Sequence, residues 1–182
     1  MTFGLVLLLF NACSDTQQTT NPDLIKIDKF SRAIFYALKT NDFDKYKPFF
    51  INAADLDYFF LRKLGHFTSK KASQKSLDQL KENIKKARTS FTSRRETRLA
   101  SLKKSFELVR EVAIKAGVDW KTAKFKGRQL ENARHIYKIG TADVVITFTD
   151  KNKHYQIKIQ RCQYVRRGWI FSEPIRWEGT YK

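Results

Sequence analysis

The sequence predicts an α+β domain: N-terminal helices and one long helix packed on a curved antiparallel sheet of about four strands. Three observations predict it. Ala142, Val144, Ile146 and Phe148 share one parity, and Tyr155, Ile157 and Ile159 repeat that two-residue period after the polar turn Asp150–Lys153. Upstream, apolar residues instead recur every three or four positions, the period of a helix with one buried face. The two patterns are segregated along the chain, helical before about Gly117 and strand-like after it. At 182 residues, the chain suits one domain able to bury a sizeable core.

The elements follow in order. Asn21 and Pro22 suit a helix start, as cap and first-turn proline. Leu24, Ile27, Phe30, Ile34 and Leu38 then give the first helix its buried stripe. Asn41 and Asp42 open a second, short helix carrying Phe43 and Tyr46, which Pro48 ends. A third covers about Ala53 to Leu64, with Leu56, Phe59, Phe60 and Leu64 inward and Gly65 as its stop. A long segment from about Ala72 to Ala116 carries two stripes, Leu77 to Phe91 and Leu99 to Ala116, one residue out of phase. Ser93 and Glu96 resemble a capping box at the phase change. One continuous drifting helix is favoured over two. Trp120 to Lys126 is expected as the first strand, with a loosely defined stretch from Leu130 to Ile139 leading into the hairpin. The alternation of the middle strand breaks near Arg161, which predicts a bulge or strong twist there. Gly168 turns the chain into Trp169–Phe171, and Pro174 marks an edge or interruption.

Charge is unevenly distributed. The net charge is +18; residues 1–67 hold 8 Lys/Arg against 7 Asp/Glu, whereas residues 68–182 hold 28 against 11. Such a field attracts anions such as nucleic acid, acidic lipid headgroups, lipopolysaccharide or acidic glycans, without choosing among them. The candidate contacts for an anionic partner are Lys85, Arg88, Arg94, Arg95 and Arg98 on the long helical segment, joined by Arg166 and Arg167 at the last turn. The lone strand cysteine, Cys162, reads as a small buried residue.

The start, MTFGLVLLLFNAC, holds an apolar run from Phe3 to Phe10, too short to span a bilayer and suited to a signal-peptide core. With Ala12-Cys13 at its end and the polar SDTQQTTNPD after it, it resembles bacterial lipoprotein precursors; Phe10 and Asn11 depart from that pattern, and no Lys or Arg precedes Cys13. The resemblance implies a signal peptide over 1–12, lipidation of Cys13, a tether over 13–22 and a domain over 23–182. It also implies a membrane partner reached through the lipid and a place in the cell envelope, with the outer membrane expected.

Gly117-Val118-Asp119-Trp120 after the long helix, Tyr155-Gln156-Ile157-Lys158-Ile159 in the middle strand and Gly168-Trp169-Ile170-Phe171 at the last turn resemble the NTF2-like, cystatin-like α+β group, over about Asp23 to Trp177. The resemblance implies a sheet wrapped into a cone with a pocket in its concavity. Tyr155, Trp169, Phe171 and Trp177 are its candidate lining.

Chemistry is sparse. His66, His135 and His154 are dispersed, and no paired carboxylates, Cys/His metal spacing, glycine-rich phosphate loop or serine elbow is present. No catalytic residue, metal or cofactor is expected. The expectation is a lipid-anchored, non-catalytic binding or scaffolding module with a basic surface for anionic envelope components. The alternatives are a pocket protein for a small molecule, with isomerase or dehydratase chemistry conceivable in it, and, if the chain is not exported, a nucleic-acid binder.

Overall fold

Two-residue turns close the sheet. A computed structural model describes residues 22–181; Cys13 and the expected signal segment lie outside them. Strands β1 (Lys124–Ile136), β2 (Ile139–Asp150) and β3 (Lys153–Val165) form an antiparallel meander. β4 (Gly168–Ile170) and β5 (Ile175–Thr180) both pair with β3, along different parts of it. Tyr137 and Lys138 turn β1 into β2, and Lys151 and Asn152 turn β2 into β3; all four have positive φ, between 46° and 63°. Two successive left-handed residues match the twist of the flanking strands.

The expected alternation holds. Ala142, Val144, Ile146 and Phe148 are buried on β2, as are Tyr155, Ile157 and Ile159 on β3. The break near Arg161 is a bulge: Ala142 pairs with Cys162 but Val144 with Ile159, and Arg161 has φ 52°. The Arg161 backbone N–H there donates to the Asp143 carboxylate at 2.9 Å. The first strand starts later than expected. Trp120 lies in the turn before it, and β1 takes in the stretch from Leu130 to Ile136 that the sequence left loosely defined. Bulges after Phe125 and after Glu131 shift its parity twice, so no simple alternation marks it.

Helices α1 (Pro22–Thr40) and α5 (Arg95–Lys115) supply the cover. Ile27, Phe30, Ile34 and Leu38 of α1 join Leu102, Phe106, Val109 and Ala113 of α5 in one core with the inward strand residues. The short α2 (Phe43–Tyr46) is capped by Asp42, which accepts from the Lys45 N–H at 3.0 Å. It drops Tyr46 between Phe106 and Phe171, with both ring centroids 5.0 Å away. Truncating Phe106 to Ala there would cost about 3–5 kcal/mol in lost contacts and cavity. A 3-10 turn over Lys47–Phe49 follows, with Pro48 in its first turn.

Helices α3 (Ala53–Ser69) and α4 (Gln74–Ser93) form a hairpin that contributes little to this core; only Asp55 and Leu80 in them are buried. α3 runs through Gly65 instead of stopping there, because the helix continues to Ser69 and Lys70 caps it. The favoured single long helix is corrected to two, α4 and α5, meeting at Arg94. The phase slip explains the break: the Leu77–Phe91 stripe faces α3, and the Leu99–Ala113 stripe must face the core. Ser93 forms no capping box. Its hydroxyl donates to the Ser90 carbonyl, and no side chain caps α5.

Tyr137 docks α3 onto the hairpin tip. Its ring lies 5.9 Å from Phe59, 5.4 Å from His66 and 6.3 Å from Phe67. A bulky residue at positive φ is strained by roughly 1 kcal/mol or more, and these ring contacts offset it.

A candidate anion-binding cleft

The β3–β4 turn organises a strongly basic concavity. Cross-strand partners Tyr164 and Trp169 hold their rings 5.6 Å apart, and Gly168, at φ 117°, supplies the turn between them. The two arginines before Gly168 have opposite fates. Arg167 points inward: its Nε and Nη2 donate to the buried Asp55 carboxylate at 2.8 Å and 2.6 Å, Nη2 also reaches the Phe50 carbonyl at 3.0 Å, and Nη1 donates to the Pro48 carbonyl. Asp55 in turn exchanges capping bonds with Asn52, its carboxylate accepting from the Asn52 N–H at 2.9 Å and its own N–H donating to the Asn52 side chain at 3.0 Å. Arg167 is thus neutralised inside the fold and pins the turn to the start of α3. Arg166 is exposed and takes no part in these bonds.

Two grooves share Tyr164, Arg166 and Trp169. The first, about 490 Å³, lies against α1 and adds Lys26 and Lys29. The second, about 550 Å³, lies between α3 and the sheet and adds Arg62, Arg134 and Lys138. Leaving Arg167 aside, six cations converge, and among the described residues neither lining contains an acidic one. Rings hold two of these cations in place. Lys26 lies 5.0 Å over the Tyr164 ring and donates to its hydroxyl, and Arg62 donates to the Tyr58 hydroxyl at 3.0 Å. A positive, partly apolar cleft of this kind suits a charged chain with flat or apolar faces. His135 adds one imidazole ring to the second groove.

The cations singled out from the sequence do not form one face. Lys85 and Arg88 line a groove between α3 and α4, Arg95 and Arg98 line another beside the α4–α5 junction, and Arg166 borders the cleft. Arg88 is paired with Asp57 at 2.6 Å, and Arg95 approaches Glu96 at 4.0 Å. Arg94 sits at the junction itself. Lys26, Lys29, Arg62, Arg134 and Lys138 went unnoticed because they come from α1, α3, β1 and the turn after it, and no short motif joins them.

The concavity is filled, not hollow. Tyr155 stacks on Phe148 at 5.5 Å and meets Trp177 at 5.6 Å. Phe171 is fully buried against Tyr46. Tyr155, Trp169 and Phe171 of the expected pocket lining are therefore core, and Trp177 packs partly buried against it; of the four, Trp169 also borders the cleft. Cys162 is buried, and burial pushes its thiol well above the usual value. Among the described residues, no cluster of His, Cys, Asp and Glu could hold a metal, and no helix is long and apolar enough to cross a membrane.

Outside the cleft, the outer face of the sheet carries a paired charge network. Lys158 reaches Glu131 at 2.6 Å and Asp143 at 3.6 Å. The hydrogen bond to Glu131, chiefly, raises the Lys158 pKa. Burial alone would raise Asp143, but the Arg161 N–H, the Asn132 amide and Lys158 outweigh it and hold its carboxyl below the usual range. A scan against family models and searches of curated proteins and of solved structures find no match for this chain.

Proposed function

We propose that this chain is a non-catalytic binding module that holds an extended anionic polymer in the cleft around Arg166, and that it does so at the bacterial cell envelope, anchored by lipid on Cys13. The observation that carries the binding reading is the convergence of six cations on two adjoining grooves whose linings, among the described residues, hold no acid. The apolar-run–Cys13–polar-linker order supports the anchor, and acidic glycans and lipopolysaccharide are the polyanions available in an envelope. The helices laid over one face of the sheet suit the NTF2-like resemblance, used here as a scaffold with a filled concavity.

The test is a titration with polygalacturonate, an acidic glycan, at several salt concentrations. Affinity is expected to fall steeply with salt. Neutralising Arg134, Lys138 and Arg166 together should weaken it at least tenfold, at about 1 kcal/mol for each exposed cation facing a polyanion. Neutralising Lys85, Arg88 and Arg94 should change it far less. Equal losses from the two triple variants would overturn the cleft assignment. Lipid labelling of the native chain against Cys13→Ser tests the anchor separately; label on both, or on neither, would refute it.

A further inference from the structure

A third groove, of about 350 Å³, lies between the 3-10 turn, the start of α3 and the α4–α5 junction. It differs in kind from the cleft. Its walls are Pro48, Phe50, Ile51, Phe91 and Leu99, and its cations are Lys47, Arg95 and Arg98. Arg98 is held against two rings: its guanidinium carbon lies 5.3 Å from the Phe50 centroid and 4.5 Å from that of Phe91. Cation–ring contacts hold the plane but accept none of its N–H groups. Among the described residues, no carbonyl or carboxylate accepts from this side chain. Glu173 is the acid that acts on it through space, and Glu173 is already bonded to Arg161 at 3.2 Å. Burial, opposed by Glu173, lowers the Arg98 pKa. A half-buried guanidinium with its donors unused is costly unless an anion meets it. The start of α3 does not compete for that anion, because Asn52 and Asp55 already cap it.

We propose that this groove binds a small amphipathic carboxylate, its head held by the Arg98 fork and its apolar body laid against Phe50, Phe91 and Leu99. The planar fork matches a carboxylate with two parallel hydrogen bonds. The volume stands at the small end of ligand sites, which favours a compact aryl or short acyl acid over a long lipid tail. This site shares no cation with the cleft, so it stands or falls apart from the polymer-binding reading.

The test uses 2-naphthoate and its neutral amide, followed by titration calorimetry and by chemical-shift mapping on the full chain. Wild type should bind the acid at least tenfold more tightly than the amide, with shifts at Phe50, Phe91 and Leu99. Arg98→Met should remove that preference while leaving the melting temperature of the free protein near that of wild type, since relief of the half-buried charge offsets the loss of its ring contacts. Ala53→Phe, at an exposed position on the groove wall, should block acid and amide alike without touching a charge. The Arg134/Lys138/Arg166 triple variant should bind the acid as wild type does. Equal affinity for acid and amide, unchanged acid binding in Arg98→Met, or no binding of either probe up to roughly millimolar concentration would overturn the proposal. A 1-naphthyl phosphate arm separates head-group classes: binding tighter than the carboxylate's would overturn the carboxylate assignment.

Discussion

Replacing Arg167 with Met should unpin the β3–β4 turn and leave the cleft's charge in place. Asp55 is 4 % exposed as a side chain and Arg167 36 %. Removing the partner of a buried carboxylate costs about 3–5 kcal/mol. The guanidinium has one wet edge, and the freed Pro48 and Phe50 carbonyls can take up water, so the lower end applies, about 3 kcal/mol. For a chain of this size, each kcal/mol moves the melting temperature by about 2–4 °C, which predicts a fall of about 6–12 °C in a circular-dichroism melt. Asp55→Asn should cost a similar amount. The double variant should lose about 1 kcal/mol or more less than the sum, because the two side chains act as one unit. Arg166→Ala supplies the contrast. It should leave the melt within about 0.5 kcal/mol of wild type, as an exposed substitution does, while weakening polygalacturonate binding. If Arg167→Met melts like wild type, or if the two single losses simply add, the description of Arg167 as an internal staple is refuted.

Other perturbations probe other parts of the fold. Tyr137→Asn suits the left-handed turn better but removes the ring that seats α3, so amide exchange should speed up across α3 and stay slow in β2 and β3. Asp150 should contribute acid-sensitive stability. Burial alone would raise its pKa, yet the Thr122 hydroxyl, the Asp119 N–H and Lys151 outweigh it and lower it. A lowered native pKa means stability that is present above the unfolded value of about 3.9 and lost as pH falls through the native value. Urea midpoints of wild type should therefore drop on acidification below about pH 4 more than those of Asp150→Asn, and parallel curves would refute this. Cys162, buried and with its thiol pushed up, should resist a disulfide-exchange reagent at about pH 8 until urea unfolds the chain; prompt labelling of the folded protein would contradict its burial.

What could be read in advance divides along physical lines. Ala142 to Phe148 and Tyr155 to Ile159 declared their strands because one face of each is buried, and burial writes a period into sequence. Arg161 declared its bulge as a break in that period. β1 declared little, since an edge strand with two bulges keeps no parity, and the apolar Trp120 and Phe125 pulled the expected strand toward the turn. The phase slip between Phe91 and Leu99 did record the junction at Arg94, although an unbroken helix reads almost the same. The cleft was illegible because its cations meet only after α1, α3, β1 and the turns fold together. Nothing local separates Arg166 from Arg167 either. Their opposite roles depend on Asp55, more than a hundred residues earlier in the chain.

The outer edge of β1 bears on how this protein behaves at high local concentration. Among the described residues, that edge pairs with no other strand along its 13 residues, and a long free edge is a template on which a second molecule can add its own strand. Here the template is spoiled twice. The extra residue at each bulge throws the hydrogen-bonding groups out of step, and the exposed Lys124, Lys126 and Arg134 would set like charges against one another in a symmetric edge-to-edge pair. Copies crowded on a surface would then remain separate, while β1 still completes the wall of the cleft on its inner side. Deleting Asn132, the left-handed residue of the second bulge, would remove one of the two bulges and so weaken the first of those safeguards against fibrous self-association.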